Sequence, residues 1–193
     1  MQALAIIRDE HDSIASMLKG LSDLVHGIRD FRMPPNFELL RAMLYYIESF
    51  PERLHHPKEE RWVFRLLAER HPPARPLVAS LCEEHRIGTG RVALLQATLQ
   101  RFERHGAGAF AGFSAAVDAF IAFERAHMGR EEQEVFPLAQ EHLTADDWEG
   151  IDEAFAAHAD PLHGMATGDG LAELHRRLTR LYEEAPAARA RNT

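Results

Sequence analysis

Residues 52–64 read ERLHHPKEERWVF, and residues 124–136 read ERAHMGREEQEVF. The two align without a gap, setting Glu52, His55, Glu59, Glu60 and Phe64 over Glu124, His127, Glu131, Glu132 and Phe136. A fainter echo joins RDEHDSI at 8–14 to CEEHRIG at 82–88, with His11 over His85. The chain therefore reads as two copies of a helical hairpin, each with one histidine on its first helix and a His-x-x-x-Glu on its second. Residues four apart on a helix stand one above the other, so His55 with Glu59, and His127 with Glu131, each aim a nitrogen and an oxygen at one spot.

Around these stretches apolar residues recur at spacings of three and four, and strand-like alternation is nearly absent, so the fold class is all-α. Leu4, Ile7, His11, Ile14, Leu18, Leu21, Val25 and Ile28 predict a helix over about residues 2–30. After FRMPPN a second block runs from about 37 to 70, with Leu40, Leu44, Ile47, Leu54, Trp62 and Leu66 inward. A third, about 74–105, carries Val78, Leu81, His85, Val92, Leu95, Leu99 and Phe102. HGAGA closes it, and a fourth, about 109–142, runs through Phe113, Val117, Phe120, His127, Val135 and Leu138. Four such blocks predict an antiparallel up-down-up-down four-helix bundle over residues 1–142. Thr144 in TADD is the expected N-cap of a short helix through Trp148, Ile151 and Phe155. HADPLHGMATGDG reads as a loop, and a last short helix spans about 171–184. Residues 143–185 are thus expected to pack on the bundle as a helical appendage, and 186–193 to form a flexible tail.

Height along the bundle decides whether the histidines meet. About 19 residues from His11 to the end of the first helix and about 18 from the start of the second to His55 correspond to about 28 Å up and 27 Å back. Equivalent counts bring His85 and His127 to the same layer. A single histidine on an apolar stripe is ordinarily a satisfied core residue. Four in one layer, two of them with a carboxylate at the chelating offset, are costly to bury without a partner, and a metal ion is that partner. Imidazole with carboxylate suits iron, manganese or zinc, and six ligands from four helices can hold two ions.

The composition excludes other classes. Thirty Asp and Glu against 22 Lys and Arg give a formal charge of -8, without a basic stripe for nucleic acid or an anionic membrane surface. Cys82 is the single cysteine, so there is no internal disulfide. MQALAIIRDEHDS turns acidic too early for a signal peptide, and no uninterrupted apolar run nears the roughly 20 residues of a membrane span, so the expectation is a cytoplasmic protein.

The residues that carry the pattern, His11 in RDEHDSI, His55 and Glu59 in HHPKEERWVF, His85 in CEEHRIG, and His127 and Glu131 in HMGREEQEVFP, resemble the hemerythrin-like, or HHE cation-binding, domain family. The resemblance covers roughly residues 1–142. It implies a bundle around two iron ions, bridged by carboxylates and an oxo or hydroxo group, with zinc or manganese as substitutes. The implied ligands are His11, His55, Glu59, His85, His127 and Glu131, and the implied small-molecule partner is dioxygen, peroxide or nitric oxide. Oxygen-carrying members use five histidines, including a close pair on the third helix. Here Leu81 and Thr89 stand four residues either side of His85. The departure implies an open position for chemistry in place of reversible oxygen carriage.

Neighbouring carboxylates leave alternatives. Glu52-x-x-His55 and Glu124-x-x-His127 also fit a ferritin-like site completed by Glu10 and Glu84, although those two are turned about 100° from the stripe that holds His11 and His85. Glu52 and Glu124 otherwise serve as partners that hold the imidazole tautomer, or as solvated charge. Glu60 and Glu132 could replace Glu59 and Glu131 as ligands if the helix is distorted. His56 aligns with Met128 and lies about 100° from His55, so it is set aside, with Lys58 and Glu60 pointing outward. Pro57 and Gly129 predict that both ligand-bearing helices are irregular at the site. Tyr45 and Tyr46 are assigned to packing. His26, His71, His105, His142, His158 and His163 are left as surface or loop residues. Three functions remain: a di-iron protein that binds or senses a small oxidant or handles iron, a di-iron oxidase or peroxidase with turnover, and a metal-free bundle for protein association. The first, a binding protein and not an enzyme, is the leading expectation. No nucleic-acid or membrane partner is expected, and a homodimer stays open.

Overall fold

The computed structural model describes residues 1–157, 160–163, 173, 174, 176–178 and 180. Among them there is no strand. Helix α1 (Ala3–Phe31) ends where Arg32 turns left-handed at φ 53°, its N–H donating to the Gly27 carbonyl, and Pro34 and Pro35 then forbid continuation. Helix α2 (Phe37–Ser49) starts on Asn36, whose side-chain oxygen accepts the Leu39 N–H at 3.0 Å. The expected second block continues to residue 70, but as a π-helical turn Pro51–His55, helix α3 (His56–Lys58), a second π-helical turn Glu59–Phe64 and helix α4 (Arg65–Arg70). Helix α5 (Arg75–His105) stops at Gly106, which takes φ 63°, a conformation that glycine adopts without strain. Helix α6 (Ala107–Arg130) passes through a third π-helical turn, Glu131–Val135, into α7 (Phe136–His142), and α8 (Ala145–Ala156) follows.

The expected irregularity at the site is therefore present in both halves, and proline explains its position. Pro51 and Pro57 cannot donate to the Ile47 and Arg53 carbonyls, nor Pro137 to that of Gln133. The ladder slips instead. His55 donates to the Phe50 carbonyl five residues back, at 3.1 Å, and Phe136 to that of Glu131. Each slip widens one turn at the height of His55, Glu59 and Glu131.

The apolar core falls into two clusters. One holds Ile14, Leu18, Leu21, Val25, Leu40, Leu44, Ile47, Phe50, Leu95, Leu99, Phe113, Val117 and Phe120 with Leu162, Leu174 and Leu178. The other holds Leu4, Ile7, Val63, Phe64, Leu67, Leu81, Val135, Phe136 and Ala139 with Trp148, Ile151 and Phe155 from α8. The histidine and glutamate layer separates them. Consecutive helical segments enter the two clusters in alternating order. The segment from α6 to α7, Ala107–His142, is long and apolar enough by length and composition to cross a membrane. Asp118 interrupts its apolar stretch, and it buries Glu124, His127 and Glu131 against other helices.

Thr144 caps α8 as its sequence predicts, accepting the Asp147 N–H at 3.2 Å while Asp147 accepts the Thr144 N–H at 2.9 Å. Arg70 adds two hydrogen bonds to the same carboxylate, at 2.8 and 2.9 Å. Thr144→Ala is expected to cost about 1 kcal/mol, seen as a melting temperature about 2–4 °C lower. An unchanged melting temperature would mean that α8 contributes nothing to the cooperative unit. The expected loop and last helix lie largely outside the described residues, and the tail wholly so. Of that helix, Leu174 and Leu178 are buried in the first cluster. His71 and His142, set aside as unpaired, stack with ring centroids 3.8 Å apart where α4 and α7 end.

Candidate metal centre

His11 from α1, His55 and Glu59 from the second segment, His85 from α5, and His127 and Glu131 from the fourth come together in one buried layer. None is more than 6% exposed. His11 Nε2 lies 3.3 Å from Glu131 and 3.8 Å from Glu59, and His55 Nε2 lies 3.5 Å from Glu59. His85 Nε2 is 3.5 Å from Glu131 and 3.8 Å from Glu59, and His127 Nε2 is 3.1 Å from Glu131. The two Glu residues thus stand between two groups of imidazoles. Phe136 stacks on His11 and Phe64 on His85, so the phenylalanine nine residues after His127 or His55 covers the histidine of the other copy.

Every one of these imidazoles presents its other nitrogen to a glutamate. Glu132 accepts from His11 Nδ1 at 2.8 Å, Glu10 from His55 Nδ1 at 2.7 Å, Glu60 from His85 Nδ1 at 2.8 Å and Glu84 from His127 Nδ1 at 3.0 Å. The arrangement closes into a circuit, because each helical segment holds the histidine of the next and the fourth holds that of the first. A carboxylate on Nδ1 fixes the tautomer and leaves the Nε2 lone pair facing inward.

The circuit corrects four sequence expectations. Glu52 and Glu124 do not hold His55 and His127; Glu10 and Glu84 do. Glu60 and Glu132 are neither ligand substitutes nor idle surface charge, since their side chains, 41% exposed, reach inward to His85 and His11. Lys58 does not point outward. Its Nζ donates to Glu10 at 3.1 Å and lies over the Phe155 ring, and Arg130 holds Glu84 in the matching place of the second copy. His56 is not turned away either, being only 5% exposed, with its ring stacked on His85 at 4.1 Å. The 100° between neighbours on a helix is real, but inside a helical assembly it points at the next helix and not at water. The available signal was the tandem itself: Glu-His, His-His and Glu-Glu pairs at every site position except His127, which stands between Ala126 and Met128.

A second polar group lies beside this layer. Glu52 accepts from Thr89 at 2.6 Å, while its other oxygen, one oxygen of Glu124 and His56 Nδ1 have no hydrogen-bond partner. Gly88 leaves room for them: a Cβ there would stand 3.3 Å from Glu52 and 3.6 Å from Glu124. Burial pushes the Glu124 carboxyl up to about 7 and raises that of Glu52 as well. Tyr46, assigned to packing, is fully buried, and its hydroxyl donates to Asp160 at 3.0 Å.

Charge in the main layer is balanced by proximity. Burial opposes the His127 imidazolium, but the charge of Glu131 at 3.1 Å and the hydrogen bond to Glu84 outweigh it and carry the pKa to about 10. His11 and His85 shift upward against burial for the same kind of reason. Burial likewise works against Glu131, yet His127, His11 and His85 hold its carboxyl well below the usual range. A raised folded-state pKa contributes stability that is complete below the unfolded value of about 6.5 and lost as pH rises through the folded value. Metal-free protein should therefore lose stability between about pH 7 and 10, read from its urea midpoint. A midpoint that climbs over that window would contradict the charge assignment.

The residues fit a cation. Both oxygens of Glu59, both of Glu131 and His11 Nε2 are buried without a hydrogen-bond partner. Buried carboxylate oxygens without a hydrogen-bond partner are expensive unless a cation takes their lone pairs. Three groups place ligand atoms within 4.8 Å of one another: His11, His55 and Glu59; Glu59, His85 and Glu131; and His56, His85 and His127. No curated protein matches the chain, and no solved structure does. A family model, that of the hemerythrin HHE cation binding domain, matches residues 2–139, which hold the whole of this layer. The chain belongs to the hemerythrin HHE cation-binding domain family.

Proposed function

We propose that the chain is an up-down-up-down four-helix bundle that holds two iron ions through His11, His55, Glu59, His85, His127 and Glu131, and that binds a small oxidant or handles iron. The observation that carries this reading is the set of four buried carboxylate oxygens of Glu59 and Glu131, without a hydrogen-bond partner and faced by imidazole nitrogens. The alternating order in which the segments enter the two apolar clusters supports the bundle. When bound, an iron pair supplies one-electron redox chemistry and an open position for dioxygen, peroxide or nitric oxide. The protein's own part is orientation and exclusion. Glu132, Glu10, Glu60 and Glu84 hold Nδ1 protons so that Nε2 lone pairs face inward, and Phe64, Phe136 and the apolar clusters keep bulk water out. Fit to a cation and family membership favour this reading over a metal-free association bundle, and a soluble cytoplasmic setting is part of it.

A reading with turnover draws on Glu124, a buried carboxyl pushed up to about 7 beside the histidine layer and thus a proton source at neutral pH. Reconstituted protein is expected to carry two irons per chain, with an absorption spectrum that azide or peroxide perturbs. A single ion, or zinc alone, would refute the di-iron form. Steady-state consumption of peroxide by that preparation would favour the enzyme; none would leave the binding protein.

A further inference from the structure

We propose that His56 is a metal ligand: with His85 and His127 it forms a three-imidazole cap for one ion, while His11 and His55 hold the other, with Glu59 and Glu131 between. The proposal rests on the di-iron reading and adds a fifth imidazole to it.

The geometry has three parts. A ring nitrogen of His56 lies within 4.8 Å of ligand nitrogens of both His85 and His127. The three ring centroids stand 4.1, 4.6 and 5.5 Å apart, with His85 Nε2 and His127 Nε2 2.9 Å from each other; the His56 ring lies nearly parallel to that of His85, at 11°, so it must turn about its Cβ–Cγ bond to share an ion with the other two. His55, about 100° around the same helical segment, stands 5.1 Å ring to ring from His11. The tandem His55-His56 thus serves two neighbouring helices at once.

Burial argues in the same direction. His56 is 95% or so removed from solvent by its 5% exposure, and its Nδ1 has no hydrogen-bond partner; Glu52 lies 3.9 Å away, the only carboxylate paired with it among the described residues. An imidazole buried solely for its shape is a costly choice. The second copy shows what shape alone would require, since Met128 occupies the corresponding position, buried and apolar. At position 56 the chain keeps histidine, and there two further imidazoles lie beside it.

The rival reading is a ring that merely stacks on His85. His56→Phe keeps a flat ring of similar size and removes the nitrogens, and His56→Met copies the residue of the other half. Purified wild-type, His56→Phe and His56→Met proteins are loaded with ferrous iron, desalted, and assayed for iron per chain, iron-dependent shift in melting temperature and visible spectrum. Wild-type protein should hold two irons. The variants should fold, keep one iron, and bind the second at least tenfold more weakly, with an altered spectrum. His56→Gly with added imidazole should recover the second iron. Variants that hold two irons with wild-type affinity and spectrum would overturn the ligand role and leave the di-iron reading standing. Wild-type protein that takes up no iron would overturn that reading and the proposal with it. If His56→Phe fails to fold, His56→Met gives the same decision.

Discussion

Glu131→Ala is expected to leave the protein with at most one weakly held iron and a less stable metal-free fold. Glu131 is fully buried and lies 3.1 to 3.5 Å from His127, His11 and His85, against 3.5 to 3.8 Å between Glu59 and the three histidines it faces. Its removal takes away two buried carboxylate oxygens, one facing His127 and His85 and the other His11. It also strips His127 of the largest of the charges that raise its pKa, so the imidazole must give up its proton or remain a buried cation held by Glu84 alone among hydrogen-bonded carboxylates. Breaking one partner of a buried pair costs about 3–5 kcal/mol, and deprotonation of the imidazoles limits the loss toward the lower figure. Iron per chain and the urea midpoint of metal-free protein test this together. Full iron content with an unchanged midpoint would remove Glu131 from the centre of the site.

Removing the metal should produce the second large effect. A ligand at about a thousand times its dissociation constant stabilises the folded state by about 4 kcal/mol, and in a chain of this size each kcal/mol moves the melting temperature by about 2–4 °C. Chelation of iron-loaded protein is therefore expected to lower the melting temperature by about 8–16 °C. Because His11, His85 and His127 carry raised pKa values without metal, loading must displace protons, so the gap between the two forms should widen from pH 6 to pH 8. A gap that narrows over that range would show that protons do not compete for these nitrogens.

Much of this was legible along the chain. The break points lie in FRMPPN, HPPARP and HGAGA, where proline and glycine leave the helix no alternative, and the helices observed between them begin and end within two residues of the expected positions. The inner histidines and glutamates were legible because the sequence repeats, and because a His-x-x-x-Glu offset has a single geometric meaning on a helix. The weaker part was everything one position away. Glu10, Glu60, Glu84 and Glu132 each adjoin an inner residue, and taken on one helix each is simply a charge turned away from the stripe.

What the sequence determined by itself is the set of elements and the layer at which the inner residues meet, since both follow from periodicity and rise along single helices. What only the tertiary structure decided is the identity of the partners. Which carboxylate holds which imidazole, why Lys58 faces Glu10, and why His56 is buried beside His85 all depend on a second helix standing 100° around the first, and no single-helix pattern carries that information. The π-helical turns belong to both. Pro57 made those of the first ligand-bearing helix predictable; that of the second was expected from Gly129, which lies within regular α6, and it falls instead at Glu131–Val135, just before Pro137. Their effect, a widened turn at the height of the buried glutamates, has meaning only once the neighbouring helices are in place.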